Sequence, residues 1–157
     1  MKNFQVTAKE DNKKYWISRS VAVAVFVFYI DEYGEKFVLA NKRGAGAADY
    51  QGCWNCPCGY LDFDETLVEA AKREVFEETG YKLDSELVVA GINDQITENH
   101  QNVTIRYKTV YREKLPIQEI PEGGEQDEVA DIKWINVKYL KGYKWAFNHD
   151  KIIQELM

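Results

Sequence analysis

Between Gly59 and Tyr81 the chain reads GYLDFDETLVEAAKREVFEETGY, and this stretch narrows the possible folds more than any other. Its second half has the period of one amphipathic helix. Leu67, Ala70, Ala71 and Val75 recur at helical intervals and suit burial. Thr66 stands as N-cap with Glu69 three residues on, the spacing of a capping box. Gly80 suits the left-handed residue that closes a helix. Within the helix, Glu74, Glu77 and Glu78 stand at i, i+3 and i+4, which sets three carboxylates on one face about 5–6 Å apart.

Three clustered carboxylates need a physical reason. On an open surface each like-charge pair costs only about 0.2–0.5 kcal/mol. In a partly buried cleft, at ~6 Å and an effective dielectric near 20, the cost rises to roughly 2–3 kcal/mol per pair. A hard divalent cation removes that repulsion and prefers oxygen ligands. The alternative is a solvated acidic helix face with Arg73 nearby. The three glutamates alone do not choose between the two.

The residues around them do. Gly59, Glu65, Arg73, Glu74, Val75, Glu77, Glu78 and Gly80 stand at the spacings of the Nudix signature. That signature is a Gly, five residues, a Glu, seven residues, Arg-Glu, an aliphatic, any residue, Glu-Glu, any residue, a Gly and an aliphatic. The stretch therefore resembles the Nudix hydrolases. Upstream, Trp54-Asn55-Cys56-Pro57-Cys58-Gly59 is similar to the family's Trp-x-x-Pro-Gly-Gly. Tyr81 departs from the closing aliphatic, Cys58 stands where a Gly is common, and Asp62 and Asp64 replace a frequent Glu and a frequent Gly. None of these departures removes a candidate metal carboxylate.

The resemblance implies a fold, a cofactor and roles. The fold would be α+β, an α/β/α sandwich around a mixed sheet. Mg²⁺ or Mn²⁺ would be held by Glu74, Glu77 and Glu78, with the backbone carbonyl of Gly59 as a further ligand. Glu65 and Arg73 would organise the loop before the helix. Many relatives draw a further ligand or a general base from a later loop, and Glu128, just before a strand, is the first choice here, with Glu125 second. A basic residue is common at the position of Arg43, which implies a phosphate contact there, with Lys42 beside it.

Composition bounds the rest. At 157 residues, 45% hydrophobic and 29% charged, the chain suits one soluble domain spanning 1–157. No apolar run reaches the ~18–20 residues of a membrane span, and the N-terminus lacks the apolar core of a secretory signal, so a cytoplasmic protein is expected. The net charge is −6 and no basic run would track a nucleic-acid backbone. No stretch is left over for a helix-turn-helix. Cys53, Cys56 and Cys58 sit within six residues and are read as reduced structural thiols. Zinc or redox chemistry is the alternative, although a fourth zinc ligand is not local, the only histidines being His100 and His149.

Along the chain, residues 1–18 are polar with scattered aromatics, an edge strand or an arm against a partner, and a homodimer is compatible with that. Arg19 to Ile30 reads as a central strand buried on both faces. Asp31–Gly34 is a turn and Lys36–Asn41 the returning strand. Lys42–Gln51, rich in Gly and Ala, is either a flexible connector or a wall of a substrate cleft. Trp54 is expected to anchor the core rather than stack on a base. Glu86–Ile92, Asn102–Glu113 and Val129–Val137 read as strands. His100 is read as a surface residue. Leu115–Glu128 is a second long loop, either solvated or a mobile segment that brings a carboxylate to the metal. A last helix is predicted near Asn148–Leu156, capped by Asn148, with Trp145 and Phe147 in the core.

The function implied is hydrolysis of a phosphoanhydride in a nucleoside diphosphate linked to another moiety. Metal-activated water would attack one phosphorus, and Glu77, Glu78 or Glu128 would accept its proton. Two other readings of the scaffold stay open: isomerisation of a diphosphate ester, and a module that binds a nucleotide-like ligand or a protein without turnover. ADP-ribose-like compounds, dinucleoside polyphosphates, nucleotide sugars and oxidised nucleoside triphosphates are all admissible substrates.

Overall fold

The computed structural model describes residues 2–97, 101–116, 118–120 and 126–157. Strand β3 (Val21–Ile30) is its axis. Ten β-branched, aromatic and small residues in a row make both of its faces apolar, and its eight inner residues are buried. Strand β8 (Val103–Tyr111) runs parallel to it, from Val21 opposite Val103 to Tyr29 opposite Tyr111. Strand β7 (Val88–Asn93) lies antiparallel outside β8 and forms that edge of the sheet.

On its other side β3 pairs with β4 (Lys36–Arg43) only at Phe28–Ile30. Beyond that the two strands diverge. A ribbon fills the wedge: β5 (Trp54–Asn55) pairs with Asn41 and Lys42 of β4, and β6 (Cys58–Tyr60) pairs with Ala22–Ala24 of β3. At the bend between them, the Val25 amide donates to the Pro57 carbonyl at 2.8 Å. Strand β9 (Val129–Asn136) closes the sheet along the far side of β4, with a register shift at Lys42/Arg43.

Two helices cover the two faces. Helix α1 (Leu67–Thr79) sets Ala70, Ala71 and Val75 against Val23, Val25, Val27, Leu39, Ile105 and Tyr107. Helix α2 (His149–Leu156) and a 3-10 helix (Val137–Gly142) set Ile152, Ile153 and Leu140 against Ala24, Phe26, Phe28, Val38 and Ala40. Alternation along β3 and β4 sends odd positions to one layer and even positions to the other. The result is the expected α+β sandwich with a mixed sheet.

The local signals of α1 are all present. Thr66 and Glu69 form the reciprocal capping box, and Gly80 adopts φ 75° with its amide on the Phe76 carbonyl. Two expectations at the C-terminus need correction. Asn148 does precede α2, but its backbone is left-handed (φ 56°) and its side chain makes no cap bond, because capping geometry needs an extended residue there. Phe147, also left-handed at φ 55°, is half-buried outside both core clusters. Trp54 is in the core, 6% exposed. Residues 2–18 form an arm: β1 (Phe4–Thr7) and β2 (Lys14–Ile17) make their own two-stranded sheet. Glu125 and His100 lie outside the described residues. Among those described, no helix is long and apolar enough to cross a membrane.

Candidate active site

The site forms where the C-terminal half of α1 lies against β6. Glu74 and Glu78 are each 3% exposed, whereas the side chain of Glu77 is 31% exposed. The carboxyl group of Glu74 lies against the backbone of Gly59, where a Cβ would overlap it. One residue back, the Cys58 amide donates to Glu78 Oε2 at 3.3 Å. The helix thus delivers two buried carboxylates to consecutive residues of one short strand, with the third at the mouth.

Arg73 holds this arrangement. Its Nη1 donates to Glu74 Oε1 at 2.7 Å and Glu77 Oε2 at 2.9 Å. Its Nε and Nη2 reach both oxygens of Glu65 at 2.9 and 2.7 Å, and Nη2 also donates to the Tyr60 carbonyl at 2.9 Å. Glu65 in turn accepts the Asp62 amide at 2.9 Å, which fixes the turn between β6 and α1. The Arg73 guanidinium holds the Glu65 carboxyl below the usual carboxylate range, with the Asp62 amide adding to it. The carboxylates in turn push the guanidinium further up.

Among the described residues, no three His, Cys, Asp or Glu side chains converge as an assembled metal cluster. Glu74 and Glu77 both accept from one Arg73 nitrogen. The donor set nonetheless fits a hard divalent cation. It is all oxygen, it is gathered on one helix face, and Gly59 leaves room for a carboxyl group against the strand backbone. The three cysteines are free thiols. Burial pushes the Cys56 thiol well up, and burial with Glu78 nearby does the same for Cys58, so neither is a ready thiolate.

The residues expected to meet phosphate stand at the end of β4. Lys42 is half-buried opposite Trp54 and Asp131. Arg43 donates through Nε and Nη2 to the Asp49 carbonyl and carboxylate, both at 2.8 Å, and lies 5.2 Å over the Phe147 ring. The loop after it is not a slack connector. The Gly44 and Gly46 amides donate to the carbonyls of Glu128 and Asp127 at 2.6 and 2.8 Å. A Cβ at Gly44 would meet the Asp127 carbonyl oxygen at 2.6 Å, so this close approach requires glycine. The same contact seats Glu128, whose side chain is exposed, beside the end of β4.

Sequence reasoning missed an aromatic pair here. Tyr50, 46% exposed, meets Phe147 edge-on at 4.9 Å, and Phe147 lies 5.5 Å from the ring of His149. Tyr50, Phe147 and Asn148 are three of the four non-glycine residues at positive φ among those described. Such backbone outliers gather at functional sites more than elsewhere. The only sequence signal was two aromatics in loops nearly a hundred residues apart. His149 is buried and accepts the Cys56 amide through Nδ1 at 3.0 Å. Burial, with Arg106 and Arg43 nearby, pulls it down to about 3.

The NUDIX domain family model matches residues 20–156. The ADP-ribose pyrophosphatase of Methanocaldococcus jannaschii is 30% identical over 98% of this chain and 83% of its own length. Phosphatase NudJ of Escherichia coli O1:K1 / APEC is 70% identical over 45 residues, a match that spans 29% of this chain and 27% of that protein. The NUDIX domain of Shewanella oneidensis NrtR, solved as a complex with ADP ribose, superposes with a TM-score of 0.71 at 21% identity, covering 88% of this chain and 86% of that one.

Proposed function

The chain belongs to the Nudix family and is a Nudix hydrolase, and from that premise we propose that it cleaves the diphosphate of a nucleoside diphosphate linked to another moiety. ADP-ribose is the first substrate to test, because a relative that matches over nearly the whole chain is an ADP-ribose pyrophosphatase. The observation that carries the reading is the single guanidinium of Arg73 binding Glu65, Glu74 and Glu77 beside the buried Glu78.

Glu74, Glu77, Glu78 and the Gly59 carbonyl would hold Mg²⁺ or Mn²⁺, which would supply charge neutralisation at the diphosphate and lower the pKa of water. The chain's own residues do the rest. Arg73 keeps Glu74 and Glu77 from splaying, and Glu65 keeps Arg73 in place. Glu77 is the member of the trio that solvent reaches, which supports it as proton acceptor, and Glu128 stands as the alternative from the β9 side. Water adds to one phosphorus, its proton passes to the carboxylate, and the bridging P–O bond breaks to give two phosphate monoesters. Arg43 and Lys42 offer positive charge at the end of β4, and Tyr50 with Phe147 offers an aromatic face for a base.

Incubation of the purified chain with ADP-ribose and Mg²⁺ tests this. Release of AMP and ribose 5-phosphate is expected. No product from ADP-ribose, dinucleoside polyphosphates, nucleotide sugars or oxidised nucleoside triphosphates would overturn it.

A further inference from the structure

Two asparagines are buried in the part of the sheet where the candidate active site forms. Asn41, in β4, is 1% exposed, and Asn55, in β5, is 0% exposed. They stand directly opposite each other in the β4–β5 ladder. Their side chains share the face that α1 covers. Leu39 packs in that layer and alternation along β4 sends Asn41 the same way, as does Ile132, its partner in β9. Asn is depleted in strands, and burying a carboxamide costs free energy unless its polar atoms are hydrogen-bonded.

Here the bonding is incomplete. Among the described residues, Asn41 Oδ1 and Asn55 Oδ1 are buried oxygens to which no group donates. The orientation of Asn55 is set by its other end, since Nδ2 donates to the Cys56 carbonyl at 2.9 Å and to Cys58 Sγ at 3.4 Å. Turning that amide over would face an oxygen to a carbonyl. The same Cys58 leads to the carboxylates, because its amide donates to Glu78 Oε2 at 3.3 Å. Opposite residues of an antiparallel pair have Cβ atoms about 4.5–5.5 Å apart, so one small donor can serve both oxygens. A substrate arriving from solvent meets Glu77, whose side chain is 31% exposed, before it meets either asparagine. Water is the donor small enough, and a buried water makes about three hydrogen bonds to polar groups that otherwise lack partners. Once both its protons are given to carboxamide oxygens, it has only lone pairs left, and those favour a cation.

We propose, resting on the reading of Glu74, Glu77 and Glu78 as a metal site, that Asn41 and Asn55 are positioning residues of that site. Together they accept both protons of one water, and the oxygen of that water binds the divalent cation that Glu78 helps to hold. The asparagines act through the water and touch neither the ion nor the diphosphate. Neutral acceptors suit this place, because further carboxylates would add to the like-charge repulsion that the cation offsets.

Mn²⁺ titration of the purified full chain, read by calorimetry and by pulsed EPR in D₂O, tests the proposal. Asn41→Leu should bind the ion about 10–100-fold more weakly, and the bound ion should have a different count of exchangeable waters from that in the wild type. Without the ion, Asn41→Leu should melt no lower than the wild type, because it removes a buried oxygen that has no donor. Asn41→Asp keeps the acceptor and should bind Mn²⁺ at least as tightly as the wild type. Wild-type Mn²⁺ affinity and water count in Asn41→Leu, or weaker binding by a folded Asn41→Asp, would overturn this proposal alone. A wild type that binds no Mn²⁺ would overturn the metal reading itself, and this proposal with it.

Discussion

The carboxyl group of Glu74 occupies the space that a Cβ on Gly59 would fill. A glycine in a strand is usually a weakness, and here it is what lets a helix carboxylate lie on the strand backbone. Gly59→Ala should therefore displace the far end of a flexible side chain and leave the backbone where it is. The melting temperature should move by only a few degrees, whereas kcat/KM should fall about 10²-fold, the scale of a small misplacement in a site. Paired thermal and kinetic measurements on the one variant check this.

Arg73 uses its whole fork, and Lys cannot replace it. Arg73→Lys keeps a point charge but loses the planar set of donors that reaches Glu65, Glu74, Glu77 and the Tyr60 carbonyl together. Metal affinity should drop by about 10–100-fold. Arg73→Ala should in addition cost about 3 kcal/mol of stability in a denaturant titration, because it leaves the nearly buried Glu74 carboxylate without this partner.

His149 ties stability to pH. Its folded value, about 3, lies below the 6.5 of an unfolded histidine. The unfolded chain therefore binds the proton first. Its contribution is fully present above pH 6.5 and is lost as pH falls from there toward 3, at no more than about 1.4 kcal/mol per pH unit. Glu65 acts in the same direction at lower pH, since its carboxyl is depressed below 4.5 by Arg73. Denaturation curves at pH 8, 6 and 4.5 should show the loss, and His149→Gln should flatten it between 6.5 and 4.5.

Tyr50→Ala and Phe147→Ala test the aromatic face. Each should raise KM for a nucleotide substrate several-fold with kcat changed less, since the two rings meet beside Arg43 at the end of β4. Equal losses in kcat and kcat/KM, with KM unchanged, would place these rings in the chemical step instead.

What the sequence disclosed follows the reach of its signals. The capping box at Thr66 and Glu69, the left-handed Gly80 and the doubly apolar β3 are local patterns, and each is present in the fold. The spacing of Glu74, Glu77 and Glu78 put them on one helix face, but it could not show that Glu74 and Glu78 are buried and Glu77 is not. That difference depends on where β6 lies, and β6 lies there because β3 and β4 diverge. The Arg43–Phe147–Tyr50 contact joins a strand end to two distant loops, so no period or cap announces it. Asn148 misled because a good capping residue is also among the few that tolerate a left-handed backbone.

Direct titration of Mn²⁺ into the purified chain, followed by calorimetry, tests the central claim without reference to any substrate. The wild type should bind the ion, Glu78→Gln and Glu74→Gln should bind it at least tenfold more weakly, and both variants should remain folded. Equal Mn²⁺ affinity in all three proteins would show that these carboxylates do not form the metal site, and would contradict the account.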